Sequence, residues 1–174
     1  LLSVNMIMEK ALKGELPLLQ EAEKIASQIV SSIEPTPEGF LGREKQLLER
    51  MRKILLLAAG SAVQTFGKKL AHEQEVVGAI SDIIAQIFAV DSGLSRALKN
   101  NSEFQGYFVQ VAAENAMETV EVMARRILAA SDQGDSLNTK LSALRKFTRR
   151  VPVDTYKLKR LIADKVVEAG KYVC

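Results

Sequence analysis

The side chains best placed for ionic chemistry crowd into one stretch near the C-terminus: Arg145, Lys146, Phe147, Thr148, Arg149 and Arg150. Four cations in six residues, set around an apolar ring, can hold phosphates on a lipid headgroup, a phosphorylated cofactor or nucleic acid. Lys157 and Arg160 continue the basic character. A solvated basic helix face explains the same residues, and the sequence leaves that choice open. Nucleic acid ranks last, and none is expected as a partner, because no aromatic stacking platform or recognition module accompanies the cations.

Other candidates carry less. The one histidine, His72, lies in His72-Glu73-Gln74-Glu75. A di-iron bundle needs Glu-x-x-His from two helices, and a zinc protease needs His-Glu-x-x-His. Neither pattern occurs, so the acidic pair reads as a solvated helix start that complements the helix dipole. Thr65-Phe66-Gly67 lacks the preceding strand and glycine-rich turn of a phosphate cradle. Gly67, with Gly60, is therefore expected to let a neighbouring helix approach. Met117 and Met123 lie on an alanine-rich stretch and read as core filling. No catalytic, cofactor-binding or metal-ligating residue is expected.

The elements that position these groups follow from periodicity. Val76, Ile80, Ile83, Ile87, Val90, Leu94 and Ala97 recur every three or four residues, the stripe of a helix packed on helices. Helices are expected over 4–13, 17–32, 43–70, 73–99, 105–130, 136–150 and up to 169. Pro35, Pro37, Gly39 and Gly42 mark a loop, and Asp154 is placed to cap the last helix. The run Ile54–Ala59 is apolar all round and should be central. The fold expected is all-α: an up-down helical bundle with an appended C-terminal helical hairpin. Residues 1–33 form connecting helices, 43–131 the bundle and 136–174 the basic hairpin.

Composition agrees. Of 174 residues 47% are hydrophobic but only 5% aromatic, so Leu, Ile, Val, Ala and Met must build the core, a palette suited to helix interfaces. No uninterrupted apolar run approaches the ~18 residues of a membrane span. The lone cysteine, Cys174, excludes an internal disulfide framework and favours a reducing compartment. From Leu137 onward ten basic residues face three acidic ones, a charge of +7; residues 1–136 carry −4 of the overall +3. That asymmetry suits an anionic partner for the tail, or attraction between tail and body.

Three stretches resemble the C-terminal region of bacterial acyl-CoA dehydrogenases of the very-long-chain type. They are Leu1-Leu2 with Met8 to Leu18, containing Lys13-Gly14-Glu15-Leu16-Pro17; Gln74 to Ile83 with Ile87-Phe88-Ala89 and Ser95-Arg96-Ala97; and Glu168 to Tyr172. The resemblance implies a parent enzyme that oxidises acyl-CoA to trans-2-enoyl-CoA with FAD. Its catalytic glutamate motif, Phe-Glu-Gly-Thr-Asn in type, does not occur here, and by resemblance would lie upstream of Leu1. The chain is accordingly expected to be a piece of a longer protein, with no FAD bound to this part. Implied partners are the catalytic domain of the same polypeptide, a second copy in a homo-oligomer, and an anionic membrane surface. That surface would be met by Arg145, Lys146, Arg149, Arg150, Lys157 and Arg160. The implied location is cytoplasmic, peripheral to the inner face of the membrane. The rival reading is a free-standing helical adaptor with a groove for a partner helix.

Overall fold

The computed structural model describes Met6, Lys10 and residues 37–171. The helices expected over 4–13 and 17–32 lie outside these residues. Five helices follow: α1 (Gly42–Phe66), α2 (Gln74–Asn100), α3 (Glu103–Ser131), α4 (Gly134–Thr148) and α5 (Thr155–Ala169). No strand occurs among the described residues, and the expected all-α bundle is present.

Helix α1 ends earlier than its hydrophobic pattern suggests. Gly67 takes φ +51, a left-handed value that stops the α-helix and opens a 3-10 turn, Gly67–His72. A Cβ on Gly67 would meet nothing within 4 Å. The expected close helix approach is therefore absent there, and the glycine serves the turn. Close approach occurs instead at Gly106, where a Cβ would lie 3.1 Å from the Phe40 ring. The other ends follow their sequence signals. Asn101 terminates α2 with φ +45, Ser102 caps α3 through Gln105 N–H, and Asp154 caps α5 by accepting from Lys157 N–H at 3.0 Å.

Contacts fix the topology. Arg43 reaches Glu114 and Ser61 reaches Asp132, so α1 and α3 run parallel with a constant offset of 71 residues. Arg52 in the first half of α1 pairs with Asp91 in the second half of α2 at 2.9 Å, and only Asn101 and Ser102 join α2 to α3, so α2 runs antiparallel to both. All the stripe positions on α2 are buried except Ile87, which packs half-buried against the core. They meet Val109, Ala113, Ala116, Met117, Val120 and Ala124 of α3 and the buried face of α1. Of the Ile54–Ala59 run, Ile54, Leu57, Ala58 and Ala59 are buried while Leu55 and Leu56 are half-buried, and burial continues without a break to Val63.

The C-terminal part takes a different form from the expected hairpin. Lys140 meets Asp132, Arg150 meets Glu114, and Lys165 lies 4.9 Å over the Phe104 ring. The chain thus descends the whole length of α3, and α4 and α5 lie end to end along it, each leaning on α3 rather than on the other. Pro152 and the extended residues 149–153 interrupt the helix without reversing it.

Two buried carboxylates staple this tail to the bundle. Glu114, 3% exposed, accepts from Arg43 of α1 and from Arg150 Nε at 2.8 Å. Arg43 also donates to the Val151 carbonyl at 2.8 Å, and Arg50 to the Arg149 carbonyl at 2.9 Å. Asp132 accepts from Lys140 at 2.6 Å, from Ser136 at 2.8 Å and from Ser61. Burial alone would raise both carboxyl pKa values. Hydrogen bonds from Arg150 and Arg43 outweigh it at Glu114, and those from Lys140, Ser61 and Ser136 outweigh it at Asp132, so both fall below their ordinary 4.5 and 3.8.

Two outcomes follow. Ile83→Ala hollows a fully buried position and should lower unfolding free energy by about 2–5 kcal/mol, whereas exposed Glu118→Ala should change it by under about 0.5 kcal/mol, both read from urea midpoints. The depressed carboxylates add stability that is complete above their ordinary pKa values and lost as pH falls through the folded-state values. Glu114→Gln should therefore lower neutral-pH stability by about 3 kcal/mol and make the acid-side decline shallower in a pH series of urea melts.

Candidate functional site

The basic run does not form one surface. Arg145 is exposed on α4, where it flanks a cavity of about 360 Å³ lined by Arg125, Leu141 and Leu144. Lys146 is half-buried and engaged with a neighbour. Arg149 is exposed in the extended link. Arg150 turns inward: its side chain is 14% exposed, bonded to Glu114 and to the Thr148 carbonyl. The residues around the cations explain the split. Ala143, Leu144 and Thr148 form the buried face of α4, and Glu114 draws Arg150 in, leaving Arg145 and Arg149 outside.

Lys157 and Arg160 lie on the solvent side of α5. Only Leu158 of this helix is buried, with Thr155, Ile162 and Val166 half-covered on the same face. The opposite face shows Tyr156 at 75% and Val167 at 79% exposure, with Arg160 and Ala163 between them at helical spacing. Arg145, Arg149, Lys157 and Arg160 therefore share an outward, basic and partly apolar tail.

The remaining candidates are placed as follows. His72 is exposed at the end of the 3-10 turn, and among the described residues no group of three His, Cys, Asp or Glu side chains is placed to hold a metal ion. Met117 is fully buried and Met123 packs against the core. Thr65 donates to the Ser131 carbonyl at 2.6 Å, a tie between α1 and α3. The two buried carboxylates are held ionised by cations, a poor state for exchanging protons near neutral pH.

Two features escape the sequence pattern. Glu114 looks like any helix-surface glutamate, and nothing local announces its arginine partners 71 residues before it and 36 after it. Phe88 is 71% exposed on α2. Its signal was present, since it falls outside the 76–97 stripe. Helix α2 is also the one described helix long and apolar enough, by length and composition, to cross a membrane. The uninterrupted-run criterion overlooked it because Ser81, Asp82, Gln86, Asp91 and Ser92 break the run. Beside it, a mostly apolar groove of about 260 Å³ runs between α2 and α3, lined by residues such as Ala89, Gly93, Phe108 and Ala112, with Ser92, Arg96 and Gln105 as its polar side chains.

Comparison with known proteins places this geometry. Residues 50–146 match the family described as acyl-CoA dehydrogenase, C-terminal domain. A probable acyl-CoA dehydrogenase of Bacillus subtilis (strain 168) is 34% identical over 173 residues, covering 95% of this chain and 29% of that protein. The crystal structure of an acyl-CoA dehydrogenase complexed with FAD from Bacillus anthracis superposes with a TM-score of 0.90 at 33% identity, covering 98% of this chain and 30% of that one. The chain thus spans less than a third of the relatives it matches, and the matched third is a helical domain. It belongs to the acyl-CoA dehydrogenase C-terminal domain family.

Proposed function

We propose that this chain is the non-catalytic C-terminal helical domain of an FAD-dependent acyl-CoA dehydrogenase of the very-long-chain type. In the parent enzyme it packs on the catalytic domain of the same polypeptide, contributes to the oligomer and presents its basic tail to anionic lipid. The observation that carries this reading is the match of nearly the whole chain to 30% of an FAD-complexed relative. In this reading flavin chemistry belongs to the remainder of the parent enzyme, because the chain matches only 30% of the FAD-complexed relative. The tail's share of the reading rests on the exposed cations beside Tyr156 and Val167, a pairing suited to a headgroup layer.

Full-length protein should purify yellow and oxidise acyl-CoA, while this chain alone should be colourless; a full-length product without flavin would sink the assignment. Reversing Arg145, Arg149, Lys157 and Arg160 to Glu, with Arg150 left in its clamp, should abolish co-sedimentation with phosphatidylglycerol vesicles. Undiminished sedimentation removes the membrane part of the proposal.

A further inference from the structure

Helix α2 has two faces, and the structure uses one. The stripe from Val76 to Ala97 fills the core, yet only 28% of the helix's most apolar window is buried. The other face carries Phe88, 71% exposed, beside exposed Ala85, Ala89 and Ser92. A large aromatic left in water at the middle of a helix of about 40 Å is a common anchor of protein contacts.

The charges say what covers it. Asp82 lies seven residues before Ala89 and Arg96 seven after. Seven residues are nearly two turns, so acid, alanine and base share one flank of α2. Asp82 and Arg96 are both exposed and make no hydrogen bond or ion pair among the described residues, whereas Asp91 of the same helix is taken by Arg52. Two identical helices laid antiparallel about a two-fold axis at Ala89 bring Asp82 opposite Arg96 of the partner subunit, and the reverse, on the same side of the pair. The small side chain at the centre lets the helices approach, and Phe88 packs across the axis. An acid–aromatic–base order along one helix is self-complementary in this way.

We infer that the outer face of α2 is a homodimer interface, in which a second copy of this chain packs antiparallel, Phe88 supplying the apolar centre and two Asp82–Arg96 pairs setting the register. The inference rests on the oligomerisation part of the proposed function and names its surface. Exposed ion pairs contribute little to affinity by themselves, so Phe88 holds the dimer and the charges choose its orientation.

Light scattering on the purified 174-residue chain tests it, with circular dichroism to confirm folding. The wild type should be dimeric. Phe88→Asp, Asp82→Arg and Arg96→Asp should each raise the dimer dissociation constant at least tenfold. The double variant Asp82→Arg with Arg96→Asp should return it to near the wild-type value, because the swapped charges meet again across the axis. A dimer that ignores the single reversals, or is not rescued by the double, overturns the α2 interface and leaves oligomerisation standing through another surface. A monomeric wild-type chain overturns this interface; if the full-length enzyme is monomeric too, the oligomerisation part of the proposed function falls with it.

Discussion

The close antiparallel contact of α2 with α3 governs where the rest of the molecule lies. Branched side chains from α2, Ile80, Ile83 and Val90, meet a surface on α3 lightened by Ala113, Ala116 and Ala124. Complete burial of such side chains contributes about 1.5–3 kcal/mol each, and the small residues opposite let the two helices approach closely. Because α3 is also the helix on which α1, α4 and α5 rest, its position is inherited by every later element. The two-residue link at Asn101 and Ser102 leaves little freedom in how the pair is oriented.

Polar groups then refine what the apolar seam leaves loose. Helix α5 buries little, so its place depends on the Glu114 clamp and on Lys165 over Phe104. A buried ion cluster is weak as a source of net stability, since desolvation offsets much of the attraction. It is strong as a source of registry: a carboxylate that must be bonded by Arg43 and Arg150 at once tolerates few alternative positions of the 149–153 link. The same requirement holds at the other end of α4, where Asp132 gathers Ser61, Ser136 and Lys140. Two such points fix the line of the tail along α3.

This architecture suits the contact role proposed for the domain. The carboxylates of Glu114 and Asp132 are neutralised by cations, and exposed basic and large apolar side chains occur together on the tail, while α2 exposes Phe88. A polypeptide of this family can vary those faces while the α1–α3 core stays constant, because the core-facing and outward residues alternate along the same helices.

Over the described residues the sequence by itself determined that the chain is helical, most of the helix ends and the core stripe, though not the early stop of α1 at Phe66. These depend on spacing and on short-range hydrogen bonds that neighbouring residues supply: the spacings of the 76–97 repeat and Asp154 as cap both act within one or two turns. It also carried the resemblance to the acyl-CoA dehydrogenase C-terminal region, and the family match upholds that much. It did not determine the end-to-end course of α4 and α5, since a proline and an extended link are compatible with reversal or continuation alike. Tertiary structure decided that, through bonds such as Arg43 to Glu114 and Arg150 to Glu114. It also divided the basic run into an inward Arg150 and outward Arg145 and Arg149. Whether a cation faces water or a buried carboxylate depends on a partner dozens of residues away, and charge pattern along a chain holds no information about that distance.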